Sequence, residues 1–481
     1  MSENVMVGRE REIDLINERC KSGKSELVAL YGRRRVGKTF LIRSMFENRF
    51  DFSFTGMYHT PKRVQLAMFM SELSQKSKKD YGTVSTWQEA FKHLAEYLSK
   101  LRKDRIIVFL DELPWIDTHK SNFLSAFSYF WNTWGSTCNR LKLFVCGSAT
   151  TWMMNKMIGD KGGLYGRVTC SIYLAPFTLA ETEAYLKQVK HMEWNRYQVL
   201  EAYMILGGIP YYLDMLDRRL PFANNIDNLF FGRNALLRRE YEFLYRSLFD
   251  DATLYRRIVE ALASKQRGLS RAELKDMLKI KSGGSLTKAL GDLVACDFVQ
   301  QYAAIGKSSK DCLFQLTDLF TLFHLRFVAG RPGRDERFWL NSQGQPAIRT
   351  WSGYAFEQVC LHHIAQIKAA LGIGGMLCNT CAWSSRPFTD SDGTQWNGGQ
   401  IDMLLDRSDD VITLCEMKHW REPFVVDAKY ARLIEERTAT FRRVTHTRKA
   451  IQHVLVSTYG LKSNNYSHIF QHQITLDSLF A

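Results

Sequence analysis

Gly32-Arg33-Arg34-Arg35-Val36-Gly37-Lys38-Thr39 fits the spacing G-x-x-x-x-G-K-[ST], and it constrains this 481-residue chain more than any other stretch. Two glycines let successive backbone N–H groups curl around a phosphate. Lys38 can neutralise the β- and γ-phosphates, Thr39 offers a hydroxyl to Mg²⁺, and a helix starting there points its N-terminal dipole at the anion. The device needs a strand before it and a helix after it. Residues 25–31 (SELVALY) are an apolar run, and residues 40–46, opening with Phe40, carry a helical pattern. Two further apolar runs, 106–110 (IIVFL) and 141–146 (LKLFVC), alternate with helical stretches such as 87–101. Short buried strands alternating with helices predict a parallel sheet covered on both faces.

The run 106–110 ends in Asp111-Glu112. An acid at a strand tip is where Mg²⁺ is held, which makes Asp111 the partner of Thr39, and Glu112 is placed to polarise an attacking water. The same pair, with Pro114 close behind, also suits the acidic start of a helix. The three arginines of the loop either contact phosphate or are simply solvated.

Composition narrows the class. Lys plus Arg total 65 against 50 Asp plus Glu, a net charge of +15 that favours an anionic partner, nucleic acid first. Apolar residues at 45% and only 9 prolines exclude a disordered or Pro-rich chain. No run of about 18 apolar residues predicts a membrane span, and no basic-then-apolar leader is visible. The 10 scattered cysteines fit a reducing cytosol, so the expected location is cytoplasmic.

Past the first region the rhythm changes. Residues 181–250 read as mostly helical, with a Thr178-x-x-Glu181 capping pattern and a Gly207-Gly208-Ile209-Pro210 turn. Within 251–330, three helices (255–263, 270–278, 285–296) precede a hairpin (298–305 with 312–317), the order of a winged helix. Residues 253–330 carry +5, with Lys288 on the third helix and Lys307 and Lys310 on the wing. DNA contact and an intramolecular lid or hinge both remain open for it. Residues 331–345 read as a linker and 346–481 as a further α/β region. Cys378 and Cys381 lack the other two ligands a structural zinc needs and read as buried thiols. His362 and His363 read as structural, Trp115 as packing, and 159–163 as a mobile loop.

Taken together, Val7-Gly8-Arg9-Glu10, the Gly32–Thr39 loop, FLDELPW (109–115), CGSAT (146–150), GLYGR (163–167) and GGIPYYL (207–213) resemble the archaeal-type prokaryotic ATPases, a branch of the AAA+/STAND P-loop ATPases. The resemblance implies ATP or ADP with Mg²⁺ in a P-loop core (1–180), a helical lid (181–250) and a winged helix (251–330). It places Gly8 and Arg9 near the adenine and Ser148 as the sensor of the γ-phosphate or water. Arg167 becomes a sensor or finger residue, or else half of a structural ion pair. Pro210 belongs to an element packing the lid on the base, or to a plain turn. A homo-oligomer, even a ring motor with a trans-acting arginine, is compatible with the family.

A second constellation lies near the C-terminus. Residues 401–406 (IDMLLD) and 411–418 (VITLCEMK) flank a turn at 407–410, and a hairpin folded about residue 409 sets Asp402 opposite Glu416. Glu416 and Lys418, two apart on a strand, share a face. Two carboxylates beside a lysine suit a second Mg²⁺ or Mn²⁺ and a scissile phosphate, although a surface salt-bridge ladder has the same pattern. This resembles the PD-(D/E)xK nuclease core, with Asp402, Glu416 and Lys418 as its motif. Ile401 stands at the motif's proline, and Glu357 is the extra acid on a preceding helix (351–371). The resemblance implies a nuclease-like α/β domain over 346–481, with DNA the favoured substrate and Lys429 and Arg432 on its backbone. A C-terminal domain that binds nucleic acid or protein without cutting is the alternative.

Overall fold

The computed structural model describes residues 6–159, 162–249, 251–265, 268–281, 283–303, 305, 312–330 and 335–481. The chain divides into two compact units, Met1–Pro176 and Phe177–Ala481.

In the first unit five strands, β1 (Glu26–Tyr31), β2 (Phe52–Thr55), β3 (Ile106–Asp111), β4 (Leu141–Gly147) and β5 (Cys170–Tyr173), form one sheet in the order β2-β3-β4-β1-β5. Every pairing in it is parallel. The three apolar runs become β1, β3 and β4, and β3 and β4 are buried along their whole length. That burial explains why they read as unbroken apolar runs rather than alternating ones. The helix Trp87–Ser99 starts at a capping box between Thr86 and Glu89. Its inward residues Trp87, Phe91 and Leu94 join Phe69, Phe123, Phe127 and Phe130 in the core on one face of the sheet. A buried aromatic of this kind contributes about 3–5 kcal/mol against alanine.

The second unit opens with helices Leu179–Gln188 and Arg196–Leu206. The first is capped reciprocally by Thr178 and Glu181. The second ends at Gly207, whose φ of 67° is the left-handed turn a glycine tolerates best. Three helices follow, Ala252–Ala263, Arg271–Leu278 and Gly283–Ala295, and then an antiparallel pair, β7 (Val299–Ala303) and β8 (Cys312–Leu316). The short β6 (Leu269–Ser270) adds to β8, giving the order β6-β8-β7. Lys307 and Lys310, the expected wing lysines, lie outside the described residues, as do Asp160 and Lys161 of the 159–163 segment.

Two expectations need correction here. Part of the stretch taken for a linker is packed: Trp339 is buried in a short helix (Phe338–Asn341), and the Asp227 carboxylate accepts from the Trp339 and Leu340 backbone N–H groups. The single helix expected over 351–371 is two, Pro346–His362 and Ile364–Ala370. His363 leaves helical geometry between them, and its buried ring takes the Leu179 backbone N–H at 3.0 Å and bonds the Val359 carbonyl at 2.8 Å.

The remaining strands are β9 (Cys378–Ser385), β10 (Phe388–Thr389), β11 (Gln395–Trp396), β12 (Gly399–Arg407), β13 (Val411–Lys418), β14 (Ala450–Ser457) and β15 (His472–Thr475). Five of them form a mixed sheet in the order β15-β14-β13-β12-β9. The helix Ala428–Thr445 carries the chain from β13 to the parallel β14. All ten cysteines are free. Cys381 is buried and Cys378 only half-buried, its thiol facing the Met376 carbonyl, so the two are not a buried pair. Among the described residues no helix is long and apolar enough to cross a membrane.

Candidate nucleotide site and a second acidic group

The Gly32–Thr39 loop joins β1 to the helix Lys38–Met45, the strand–loop–helix setting that phosphate binding requires. Backbone conformation explains the glycines. Gly32 has φ 138°, and a Cβ there would stand 2.4 Å from the Leu174 carbonyl oxygen. Gly37 has φ 95° and caps the helix, and a Cβ on it would project into open space. Lys38 is buried, its ammonium donating to the Gly32 and Arg33 carbonyls at 2.9 and 2.8 Å. Val36 is buried and Phe40 is 48% exposed. The arginines are neither uniformly solvated nor alike. Arg33 is buried, Arg34 lies 5.9 Å from the Trp115 ring centroid, and Arg35 takes a left-handed φ of 72°.

Thr39 and Asp111 meet directly, Oγ1 donating to the two carboxylate oxygens at 3.0 and 3.2 Å. Cys146 approaches the same carboxylate, Sγ to Oδ1 2.5 Å, and burial together with that anion holds its thiol well above the usual range. Glu112 sits in the left-handed region (φ 50°), sparsely populated by non-glycine residues. Its Oε2 accepts from both the backbone N–H and the hydroxyl of Ser148, at 3.0 and 2.9 Å. Burial is the largest influence on Glu112 and raises its carboxyl, with Lys38 opposing. The residues read as metal partner, base and sensor thus converge at the tips of β3 and β4. A hydroxyl, a carboxylate and a cradle of backbone around a lysine fit a nucleotide phosphate with Mg²⁺.

The other expected residues lie outside the cluster of Thr39, Asp111, Glu112 and Ser148. Arg9 caps the helix Glu10–Lys21 in a left-handed conformation beside Gly8 (φ 69°). Its Nη2 donates to the Ala175 and Val36 carbonyls at 2.7 and 3.3 Å, a tie between backbone segments. Arg167 is exposed after a turn closed by its N–H on the Leu164 carbonyl, and among the described residues no ion pair engages it. Pro210 opens the helix Pro210–Asp214, and the Phe177 N–H bonds the Gly208 carbonyl at 2.8 Å.

In the second unit β12 and β13 pair with Met403 opposite Cys415, the register that makes Asp402 and Glu416 the next pair along. Glu357 on the helix Pro346–His362 feels both carboxylates and Lys418. Burial, then Asp402, push it up to about 8, with Lys418 opposing. Asp402 is raised by burial and bonded by the Gln400 amide. Glu416 is buried, and its oxygens are engaged: Arg437 pairs with Oε1, while the Tyr430 hydroxyl donates to Oε2 at 2.7 Å. Lys418 reaches the same Oε2 at 3.6 Å. Among the described residues no group of three or more His, Cys, Asp or Glu side chains could hold a metal ion. Asp402 and Glu416 therefore do not form a ready-made cage for Mg²⁺ or Mn²⁺, because cationic and hydroxyl groups of this chain occupy Glu416.

The sequence reading missed Tyr430, Arg437 and Cys146. Tyr430 and Arg437 lie seven apart on one helix, so they share a face, and that spacing was the available signal. Cys146 follows from parallel register, since Leu110 pairs with Val145 and the next residues are Asp111 and Cys146.

A family profile described as an ATPase domain predominantly from Archaea matches residues 6–216. Those residues carry an archaeal-type ATPase domain. It runs beyond the first unit, through the helices that end at Asp214. An uncharacterised protein of Methanocaldococcus jannaschii is 27% identical over 372 residues, 76% of this chain and 78% of that protein. An uncharacterised ATP-binding protein of the same organism is 42% identical over 45 residues, 9% of this chain and 76% of that protein. Among solved structures, a Walker-type ATPase of Pyrococcus abyssi covers 67% of this chain and 96% of its own at 18% identity and a TM-score of 0.46. Cdc6p of Pyrobaculum aerophilum covers 67% and 96% at 15% identity and a TM-score of 0.31. Both scores fall below 0.5, so the fold argument for the ATPase domain rests on its own sheet and loop.

Proposed function

We propose that the chain is an ATP-hydrolysing molecular switch whose C-terminal region acts on nucleic acid, DNA in preference to RNA. The observation that supports the first half best is the convergence of Thr39, Asp111, Glu112 and Ser148 beside Lys38. In this reading the loop N–H groups and Lys38 bind the phosphates, and Thr39 and Asp111 hold Mg²⁺. The ion would supply charge neutralisation between the phosphates. Ser148 orients Glu112, and the carboxylate accepts a proton from water. A carboxyl raised by burial is a stronger base than an exposed one, which suits that role.

The second half rests on the group Glu357, Asp402, Glu416 and Lys418 and on the +15 net charge. The segment 252–316, with three helices and a three-stranded sheet, has the element order of a winged helix and would serve as a second contact or as a hinge. Engagement of Glu416 by Arg437 and Tyr430 favours one alternative, a C-terminal region that binds nucleic acid without cutting it. Cleavage of plasmid and linear DNA with Mg²⁺ or Mn²⁺, with and without ATP, separates the two. Wild type, Lys38→Ala and Asp402→Ala run side by side. Cutting by wild type that Asp402→Ala loses supports the nuclease reading. ATP hydrolysis without cutting by any form leaves the binding switch.

A further inference from the structure

The two oxygens of the Asp111 carboxylate are unevenly engaged. Oδ1 accepts from the Glu112 backbone N–H at 3.0 Å and from the Cys146 thiol. Thr39 Oγ1 lies between the oxygens, nearer to Oδ2 (3.0 Å) than to Oδ1 (3.2 Å). Among the described residues Oδ2 has no other donor. A carboxylate oxygen offers about two lone-pair sites. Two donors therefore fill Oδ1, whereas Oδ2, with Thr39 alone, keeps a site open.

The sheet puts the thiol there. β3 and β4 run parallel with Leu110 level with Val145, so Asp111 and Cys146, the next residues, project to one face. Asp111 is 3% exposed and Cys146 wholly buried. Solvent cannot replace the thiol in such a place, so without it Oδ1 would lack a donor and the carboxylate would be free to turn. Carboxylates that hold a metal are steered by outer hydrogen bonds of this kind, and losing one weakens metal binding about 10–100-fold. A thiol is a weak donor, which sets the expectation at the low end of that range.

We propose that Cys146 is a positioning residue for the metal-side carboxylate. With the Glu112 N–H it fixes Oδ1, and so turns Oδ2 and its open site towards the Thr39 hydroxyl. The inference rests on the ATP and Mg²⁺ reading and deepens it, adding a residue that acts only through Asp111. It predicts which atom of Asp111 serves the ion and why a polar hydrogen stands in the middle of a buried strand.

The test reads binding rather than turnover. A non-hydrolysable ATP analogue is titrated calorimetrically into the full chain, first in EDTA and then over a series of free Mg²⁺ concentrations. Wild type is compared with Cys146→Ala, with Cys146→Val, which fills the space without a donor, and with Cys146→Ser, which keeps one. The alanine and valine variants should need about tenfold more Mg²⁺ for half of the gain in affinity, with affinity in EDTA unchanged. The serine variant should stay near wild type. Equal Mg²⁺ dependence in wild type and both donor-free variants overturns the inference. A loss in EDTA as large as that in Mg²⁺ overturns it too, as does a serine variant no better than alanine, because either result makes the thiol a matter of packing. Wild type that binds no analogue at all sinks the nucleotide reading itself. Binding that Mg²⁺ does not strengthen leaves a nucleotide site standing and sinks only the role of Cys146.

Discussion

Glu357 carries a carboxyl whose folded pKa, about 8, lies above its unfolded value of 4.5. The folded state therefore binds the extra proton between those values, and stability falls as pH rises through that window, by at most about 1.4 kcal/mol per pH unit. Glu357→Gln should flatten the fall, which thermal melts from pH 5 to 8 would show as a smaller loss of Tm than in wild type. At the other site, Glu112→Gln should lower the ATP turnover number by about 10²–10⁴-fold while leaving nucleotide affinity nearly intact, because it removes a proton acceptor and no phosphate contact. Lys38→Ala should remove the stabilisation by ATP and Mg²⁺, about 2.7 kcal/mol at a hundredfold excess over Kd in wild type, as read in a melting-temperature titration. The loop and its acids were legible because each residue type has a fixed duty at a fixed spacing. The arginines were not, since nothing local says that Arg33 is buried while Arg34 lies over Trp115.

At the scale of elements, buried parallel strands announce themselves as apolar runs, so β1, β3 and β4 were readable to within a residue or two. The β12–β13 register followed from the turn at 407–410, because the two-residue period leaves one pairing that faces both acids the same way. The break at His363 was not readable, since its cause is a ring bonding a backbone N–H far away in sequence, at Leu179. Nor was the engagement of Glu416, which depends on how a distant helix lies on the sheet. Gly32 offers the sharpest test at this scale. Gly32→Ala places a methyl 2.4 Å from the Leu174 carbonyl at a φ of 138°. It should cost about 1–3 kcal/mol in chemical denaturation and abolish ATP binding together, whereas an alanine at Gly37 meets no neighbouring atom and carries only the backbone strain of its φ of 95°.

For the whole molecule, the excess of 15 positive charges is a statement about partners rather than fold. If six or more phosphates are neutralised on binding, affinity for DNA should drop about 10³-fold or more between roughly 50 and 200 mM salt, measurable by fluorescence anisotropy. A salt-insensitive interaction would point to a protein partner instead. The first compact unit ends at Pro176, shortly before the capped helix Leu179–Gln188. Just before that point Leu174 presses its carbonyl on Gly32, at the head of the phosphate loop, and Arg9 holds the carbonyls of Val36 and Ala175 in one guanidinium. The exit of the ATPase sheet is thus fastened to both ends of the loop that meets the nucleotide. A shift of the loop at either end would therefore move the carbonyls of Leu174 and Ala175, which lie immediately before Pro176 closes the first unit.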